Sequence, residues 1–419
     1  MRTQKQITIL GIGNELLSGS VTNTNATYLS SQLARLGILV DRHVVVPDEL
    51  DVIVSAIQEC RARQSSVITT GGLGPTADDL SLEAVARYLD VPLEPSPRTE
   101  AHILKRIANY NQRASRAAAK MAQIPRGALI LLNSLGTAPG VICSQDEFFV
   151  ASLPGPPVEL QPMFEQKVLP FLAKWAGRSP CFLRTRLRTA GLAEPQVIRK
   201  LGRYAAGVPG KLGVGIYTSY NGLDIVLEAL TQSKSKRPPA LMREYAQEIH
   251  RRLGPAVYAE ADGTLEAIIG QLLRKKGLSL SLAESCTGGL ISKMITDAPG
   301  ASDYYRGSIL AYSNGIKSSH LKISEALLRK HGAVSGPVAR AMAKGVRESI
   351  NTEIGVSITG IAGPTGGSAQ KPVGTAFVGI ADSRGSRVHQ IRGYGTRSTV
   401  RKGLASKTLN LLRLHLLER

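Results

Sequence analysis

Residues 278–297 read LSLSLAESCTGGLISKMITD, and three segments of that string decide how the last third of the chain folds. Residues 278–283 form a short apolar-rich run suited to a buried strand; 284–289 are polar and end on two glycines; 290–297 return apolar residues at helical spacing. A strand passing through a tight turn into a helix predicts an α/β layer with the turn at the carboxyl end of the strand. First-turn N–H groups of such a helix lack partners within it and can stabilise an oxyanion or a phosphate. Ser285 stands in that turn as a hydroxyl that needs a neighbouring base to become a nucleophile. Gly288 and Gly289 let a substrate come close to the backbone.

The pattern continues outward. A helix over 265–276 stops at Gly277, and after the helix 290–297 come a strand 308–313, a helix 337–350, strands 354–358, 373–381 and 387–394, and a helix 398–417. Two more loops follow strands: Tyr312-Ser313-Asn314-Gly315-Ile316-Lys317, and residues 359–367, TGIAGPTGG, with four glycines in nine positions. Lys317 offers a base on condition that desolvation or nearby positive charge lowers its pKa. Each piece also has a plainer reading: SCTGG as a capped glycine turn, Lys317 as a surface lysine, and Cys286 as a small buried side chain. Cys286 as nucleophile, or His320, His331, His389 or His415 completing a Ser–His pair, stay open as rivals.

Upstream, strand 7–12, helix 25–36 closed by Gly37, strand 38–46, helix 50–63, strand 67–70 and helix 80–89 spell βαβαβ, so a doubly wound sheet with parallel strands is expected. A helix over 158–175 should break at Pro170, and residues 177–179 make a plausible boundary. Strand 67–70 delivers Gly71-Gly72-Leu73-Gly74-Pro75-Thr76-Ala77-Asp78-Asp79 into a helix, a turn suited to phosphate, with Asp78 and Asp79 able to hold a divalent ion. The alternative is that Thr76 or Asp78 caps the helix and Asp79 complements its dipole. Between them, strands 212–217 and 223–230 and a helix 241–253 suggest a small α+β module, with an exposed basic loop at 231–239. The expected domains are 1–176, 177–260 and 261–419.

Bulk properties agree with several globular cores: 419 residues, 43% hydrophobic and 20% charged. The net charge of +20 is unevenly spread: residues 1–175 carry 16 Lys and Arg against 16 Asp and Glu, 176–260 carry 14 against 6, and 261–419 carry 22 against 10. Basic later domains suit nucleic acid or phosphorylated small molecules, or simply a solvated face. No apolar run is long enough to span a membrane and the N-terminus lacks a secretory pattern, so a cytoplasmic protein is expected. Four scattered cysteines without CxxC argue for reduced thiols and against a zinc site.

AESCTGG (283–289), YSNGIK (312–317), HGAVS (331–335), TGIAGPTGG (359–367) and KPVGTA (371–376) together resemble the C-terminal domain of the CinA family, the nicotinamide-mononucleotide amidohydrolases. That resemblance implies Ser285 as nucleophile and Lys317 as general base, with Tyr312 lining the site. It implies Cys286, Thr287, Gly288, Gly289, Asn314, Thr359, Gly360 and Gly363 around the substrate, and Arg397 and Arg401 for its phosphate. The implied reaction is hydrolysis of nicotinamide mononucleotide to nicotinate mononucleotide and ammonia, chemistry that asks for no cofactor. The chain has Thr396 where the family usually has an aspartate before the arginine, a loss expected to loosen Arg397.

At the other end, NELLSG (14–19), TNA (24–26), GGLGPTADDLS (71–81), NSLGTAPG (133–140) and LPGPPVEL (153–160) resemble the molybdopterin-binding-like domain of the same family. The resemblance implies nucleotide binding by Glu15, Asn25, Gly71, Gly72, Gly74, Thr76, Asp79, Thr137 and Glu159, and ADP-ribose pyrophosphatase activity with Mg2+ and K+. Asn14 and Ser81 replace a family aspartate and threonine. The middle segment is similar to the family's KH-like module, with Gly207-Val208-Pro209-Gly210-Lys211 in GxxG form. A homodimer is implied as well. The competing reading is a nucleic-acid-associated adaptor in competence or the DNA damage response, without catalysis.

Overall fold

Strong apolar strands alternating with capped amphipathic helices build two compact units, the first running to Leu183 and the second made of Arg184–Ala229 with Pro238–Arg419. A computed structural model describes residues 5–107, 114–177, 181–219, 221–231, 238–261 and 263–419. The basic loop expected at 231–239 and the boundary at 177–179 fall largely outside the described residues.

In the first unit β1 (Gln6–Ile12), α1 (Thr24–Arg35), β2 (Leu39–Val46), α2 (Leu50–Ala62), β3 (Ser65–Thr70) and α3 (Ser81–Leu89) follow the expected βαβαβ order. Then come β4 (Leu129–Leu131), β5 (Gly140–Gln145), β6 (Phe148–Leu153) and the helix α4 (Pro157–Met163). The sheet order is β2-β1-β3-β6-β5-β4; the first four strands are parallel, and β5 and β4 run antiparallel at the edge. The chain leaves β1 in one direction to β2 and returns to β3 on the other side. That reversal opens a crevice at the carboxyl ends of the strands.

The last helix of this unit departs from expectation. It is interrupted at Phe164–Val168, a π-helical turn, and resumes as Leu169–Ala176 with Pro170 in its first turn. The interruption therefore lies upstream of Pro170, where the missing N–H and the ring fall at a helix start that tolerates both.

The second unit begins with a four-stranded sheet, order β8-β9-β7-β10, from β7 (Cys181–Ala190), β8 (Gly213–Thr218), β9 (Gly222–Thr231) and β10 (Val257–Glu260), with α5 (Glu194–Leu201) and α6 (Ala240–Leu253). It continues with α7 (Leu265–Lys276), β11 (Leu280–Glu284), α8 (Leu290–Asp297), β12 (Tyr305–Leu310), α9 (Asn314–Leu321), α10 (Glu325–His331), α11 (Gly336–Ile350), β13 (Ile354–Gly360), β14 (Thr375–Asp382), β15 (Gly385–Arg392) and α12 (Arg397–Leu417). The five-stranded sheet has the order β12-β11-β13-β14-β15, parallel through β12, β11 and β13 and antiparallel beyond.

One face of this sheet packs against α7, α8 and α12 in a core that includes Leu265, Ile269, Ile291, Ile295, Leu404, Leu409 and Leu416, and that core also takes in Ala190 and Tyr258. Burying each such leucine or isoleucine stabilises the fold by roughly 1.5–3 kcal/mol. The other face meets α11 through Val338, Met342 and Val346. Thr264 caps α7 by accepting the Ala267 N–H, and Gly277 ends it in the left-handed conformation, so that helix keeps the limits expected from sequence. Strand β12 ends at Leu310, three residues earlier than expected, which leaves Tyr312 and Ser313 in a turn and starts an unforeseen helix at Asn314.

Candidate active site

Strand β11 carries the chain to Glu284, and the Ser285 N–H extends the strand pairing by donating to the Ile358 carbonyl at 3.1 Å. Gly288 and Gly289 then take φ of 58° and 88°, a left-handed path that L side chains resist, and α8 starts at Leu290. Ser285 is thus held at the top of the sheet beside a helix N-terminus, 8% exposed. On the neighbouring strand's exit, the Ser313 hydroxyl caps α9 by accepting the Ile316 N–H at 3.3 Å. The cap sets Lys317 in the opening turns of α9 with its side chain directed inward, 1% exposed.

Lys317 Nζ lies 3.3 Å from Ser285 Oγ and donates to the carbonyls of Ala311 at 2.7 Å and Tyr312 at 3.5 Å. A neutral amine has two N–H bonds and one lone pair. Nζ is placed to donate to Ser285 Oγ as well as to the two carbonyls; in the neutral form, with both N–H bonds on the carbonyls, the lone pair would face the Ser285 hydroxyl. Burial pushes the Lys317 amine below its ordinary lysine range, the direction a base needs. Among the described residues Lys317 has no carboxylate partner that would restore the charged form.

The turn also supplies donors. Gly288 N–H bonds the Ser285 carbonyl at 3.1 Å, whereas the N–H groups of Cys286 and Thr287 have no backbone acceptor among the described residues. Glu284, which sequence reading passed over, is 1% exposed and accepts from Thr287 Oγ1, Gly289 N, Ile291 N, Ser292 N and Ser292 Oγ. The Cys286 thiol is buried in the core under α8, and burial pushes it up to about 12, which removes it as a nucleophile near neutral pH. His331 and His320 lie on neighbouring helices, and His320 Nδ1 is bonded to Ser319 Oγ at 2.7 Å; His415 pairs with Asp382 at 3.0 Å.

The expected phosphate arginines start α12 and reach into the same loops. Arg401 Nη2 donates to the Thr287 carbonyl at 2.7 Å, and Arg397 donates to the Gly363 carbonyl at 2.6 Å and to the Tyr312 hydroxyl at 3.1 Å. Tyr312 itself is 65% exposed. These contacts answer the expectation that Thr396 would loosen Arg397. The arginine is oriented by a carbonyl and a phenol, while the Thr396 hydroxyl caps α12 by accepting the Thr399 N–H, the service an aspartate would perform. Asn314 is exposed at the first position of α9. The Thr359 hydroxyl is turned away onto the Ala333 carbonyl at 2.8 Å, where it ties down the 332–335 loop; Gly360 ends β13 beside it.

In the first unit a cleft of about 360 Å3 opens at the carboxyl ends of β1, β3 and β6, lined by Glu15, Gly71, Gly72, Gly74, Thr137 and Glu159. Asn25 lies in an adjoining hollow of about 310 Å3. Its Nδ2 donates to the Gly155 carbonyl at 2.7 Å, which fixes the amide's orientation and leaves Oδ1 buried without a donor. Asp79 is not an open metal ligand: its Oδ2 accepts the N–H and hydroxyl of Thr76 at 2.8 and 2.6 Å, closing the turn as a cap does. Thr76 is therefore a partner of Asp79 within the turn. Asp78 and Asp48 also border the cleft, Asp48 accepting the Asn14 N–H at 2.9 Å and so bringing a carboxylate next to the position where Asn14 lacks one. Among the described residues no three carboxylate, histidine or cysteine side chains gather as a metal site. Asp78 and Asp79, the pair expected to hold magnesium, both border the cleft, with Asp79 Oδ2 engaged by Thr76.

The comparisons with known proteins cover both ends of the chain. Residues 262–416 match the model described as the CinA C-terminal domain, and residues 8–174 match that of a probable molybdopterin binding domain. A CinA-like protein of Kosmotoga olearia is 38% identical over 411 residues, covering 98% of each chain. The chain belongs to the CinA family. Another CinA-like protein, from Citrifermentans bemidjiense, is 37% identical over 99% of this chain and 98% of its own. Among solved structures, the competence/damage inducible protein CihA of Agrobacterium tumefaciens is 34% identical and covers 37% of this chain and 96% of its own, with a TM-score of 0.35.

In this CinA-family chain the GxxG segment of the middle module is spent on itself. Val208 N–H bonds the Leu212 carbonyl, and the N–H groups of Lys211 and Leu212 both return to the Val208 carbonyl. Pro209 has no N–H to give, so two of the four GxxG positions, Val208 and Pro209, offer no free backbone donor. Two of the three arginines of β7 are engaged, Arg184 with Glu228 at 3.2 Å and Arg186 with Asp224 at 3.6 Å. Among the described residues no helix is long and apolar enough to cross a membrane.

Proposed function

We propose that the C-terminal domain of this CinA-family chain is a serine–lysine amidohydrolase whose substrate is a phosphorylated nicotinamide nucleotide, nicotinamide mononucleotide first. The observation that carries the reading is a buried lysine without a carboxylate partner, its Nζ 3.3 Å from the hydroxyl of Ser285. Ser285 Oγ attacks the carboxamide carbon as its proton passes to Nζ. The Cys286 and Thr287 N–H groups receive the oxyanion. Collapse returns that proton to the departing ammonia, and the acyl-enzyme is hydrolysed by a water that Nζ deprotonates, giving the carboxylate and free serine. Arg397 and Arg401 suit the 5′-phosphate, since both start α12 beside the turn and a guanidinium matches phosphate bidentately.

For the first unit the proposal is more general: the cleft at the strand ends takes a phosphorylated nucleotide, supported by its place at the switch point and by the glycine turn Gly71–Gly74 that lines it.

The test is a deamidation screen of pyridine nucleotides on the full chain, reading ammonia release. The reading requires turnover of nicotinamide mononucleotide and its near-complete loss in Ser285→Ala with unchanged thermal unfolding. Undiminished activity in that variant would overturn it.

A further inference from the structure

Five donors converge on a carboxylate that the mechanism above does not use. Glu284 Oε2 accepts from Thr287 Oγ1 at 2.7 Å, Gly289 N at 3.0 Å and Ile291 N at 3.2 Å; Oε1 accepts from Ser292 N at 2.8 Å and Ser292 Oγ at 2.6 Å. Three of these are the orphan N–H groups that any helix start must satisfy. The N-cap position of α8 is Gly289, which has no side chain to do it. The cap is therefore supplied from the end of β11, by the residue immediately before the nucleophile.

We propose that Glu284 is the positioning residue of the Ser285–Lys317 pair, tying the start of α8 to the end of β11 so that the Cys286 and Thr287 N–H groups are left facing the reacting carbonyl. The inference rests on the serine–lysine reading of the site. One carboxylate fixes both ends of the turn: it follows Ala283 in the strand ladder and holds residues 287, 289, 291 and 292. With Gly289, Ile291 and Ser292 N–H spoken for by Glu284, and Ser285 and Gly288 N–H spoken for by backbone carbonyls, the two N–H groups of the turn bonded to neither Glu284 nor a backbone carbonyl among the described residues, those of Cys286 and Thr287, are consecutive and adjoin the nucleophile. The Glu284 charge is directed onto the helix N-terminus and two hydroxyls, and Lys317 turns to Ala311 and Tyr312.

The conservative replacement is informative because both carboxylate oxygens are fully used as acceptors. Glutamine keeps the shape, but its NH2 must face either the Ser292 pair or the Thr287, Gly289 and Ile291 set, donor against donor. Ser285 reactivity is read with a fluorophosphonate: the hydroxyl oxygen bonds phosphorus, fluoride leaves, and Lys317 takes the proton, so no knowledge of the natural amide is needed. On the full chain, Glu284→Gln should label roughly ten- to a hundredfold more slowly and lose kcat by a similar factor, with KM within about threefold. A purely structural role would lower the unfolding midpoint without that split. Labelling and kcat within about twofold of wild type in a cooperatively folding E284Q overturn the proposal.

Should E284Q fail to fold, Thr287→Val, which removes one donor to Glu284 at the nucleophile side, should slow labelling in a cooperatively folding protein. Wild-type labelling in T287V would overturn it equally. A wild-type protein that labels at Ser285 yet deamidates none of the pyridine nucleotides would sink the substrate reading and leave Glu284's role standing. A wild-type protein that does not label at all sinks both.

Discussion

Replacing Lys317 by methionine removes the amine while keeping a flexible apolar stem of similar length in the same channel. In the wild type, Nζ reaches one reacting atom, Ser285 Oγ at 3.3 Å, and two backbone carbonyls. Its loss should fall on the chemical step and leave ground-state binding nearly alone. General-base catalysis by a positioned group contributes 10²- to 10⁴-fold, so the barrier should rise by roughly 3–5 kcal/mol, seen as a fall in kcat with KM little changed.

The pH profile gives a second signature. Because burial lowers the amine's pKa, kcat/KM in the wild type climbs as pH rises through that lowered value, and activity is lost on the acid side as Nζ is protonated. Stability moves with the same sign. Between the folded pKa and the ordinary lysine value of 10.5 the unfolded chain binds the extra proton, so wild-type unfolding free energy rises with pH relative to Lys317→Met. Lys317→Arg should not rescue activity, since a guanidinium stays charged at every accessible pH. The assay is ammonia release coupled to glutamate dehydrogenase from pH 6 to 9.5, alongside urea unfolding at the same pH values. Retention of activity within about tenfold in K317M, or an unchanged acid limb, would refute the assignment of Lys317 as the base.

Three further outcomes follow from the packing. Thr396→Ala removes the cap of α12 and should cost ~0.5–1 kcal/mol in unfolding free energy while raising KM for phosphorylated substrates, because Arg397 and Arg401 hang from that first turn; an unchanged KM would detach the helix start from binding. Gly379→Ala would put a methyl against the Ala339 carbonyl and 2.8 Å from Ser357 Oγ, forcing α11 off the sheet at a cost of about 1–3 kcal/mol, measurable by calorimetry. Cys286→Ala should retain activity within about threefold, and iodoacetamide at pH 7.5 should leave the wild-type enzyme active, since the thiolate is scarcely populated. Rapid inactivation by alkylation at Cys286 would restore the thiol as a rival nucleophile.

What could be read directly from the chain was local. Thr264 and Gly277 bracket one helix because capping and left-handed termination act within four residues. The parallel order of β2, β1, β3 and β6 follows from alternating strand and helix patterns and the handedness of crossovers. Ser285 and Lys317 were legible as chemistry-bearing residues, but their sequence separation says nothing of 3.3 Å.

Other readings needed the third dimension. The segment after β12 looked like a loop because Asn314-Gly315 signals a turn, whereas the Ser313 cap and burial of Lys317 and Leu321 make it a helix. Strand β7 escaped notice because Arg184, Arg186 and Arg188 masked its alternation, and two of those charges are answered on β9. Asp78 and Asp79 read alike in the sequence, whereas the fold engages Asp79 Oδ2 with the N–H and hydroxyl of Thr76. Glu284 carried no sequence signal at all, since a glutamate at a strand end is ordinarily solvated. Patterns of propensity and hydrophobic period belong to the sequence, because they act between near neighbours; the partner of each buried polar atom belongs to the tertiary structure, because only the packed chain removes the water that would otherwise serve.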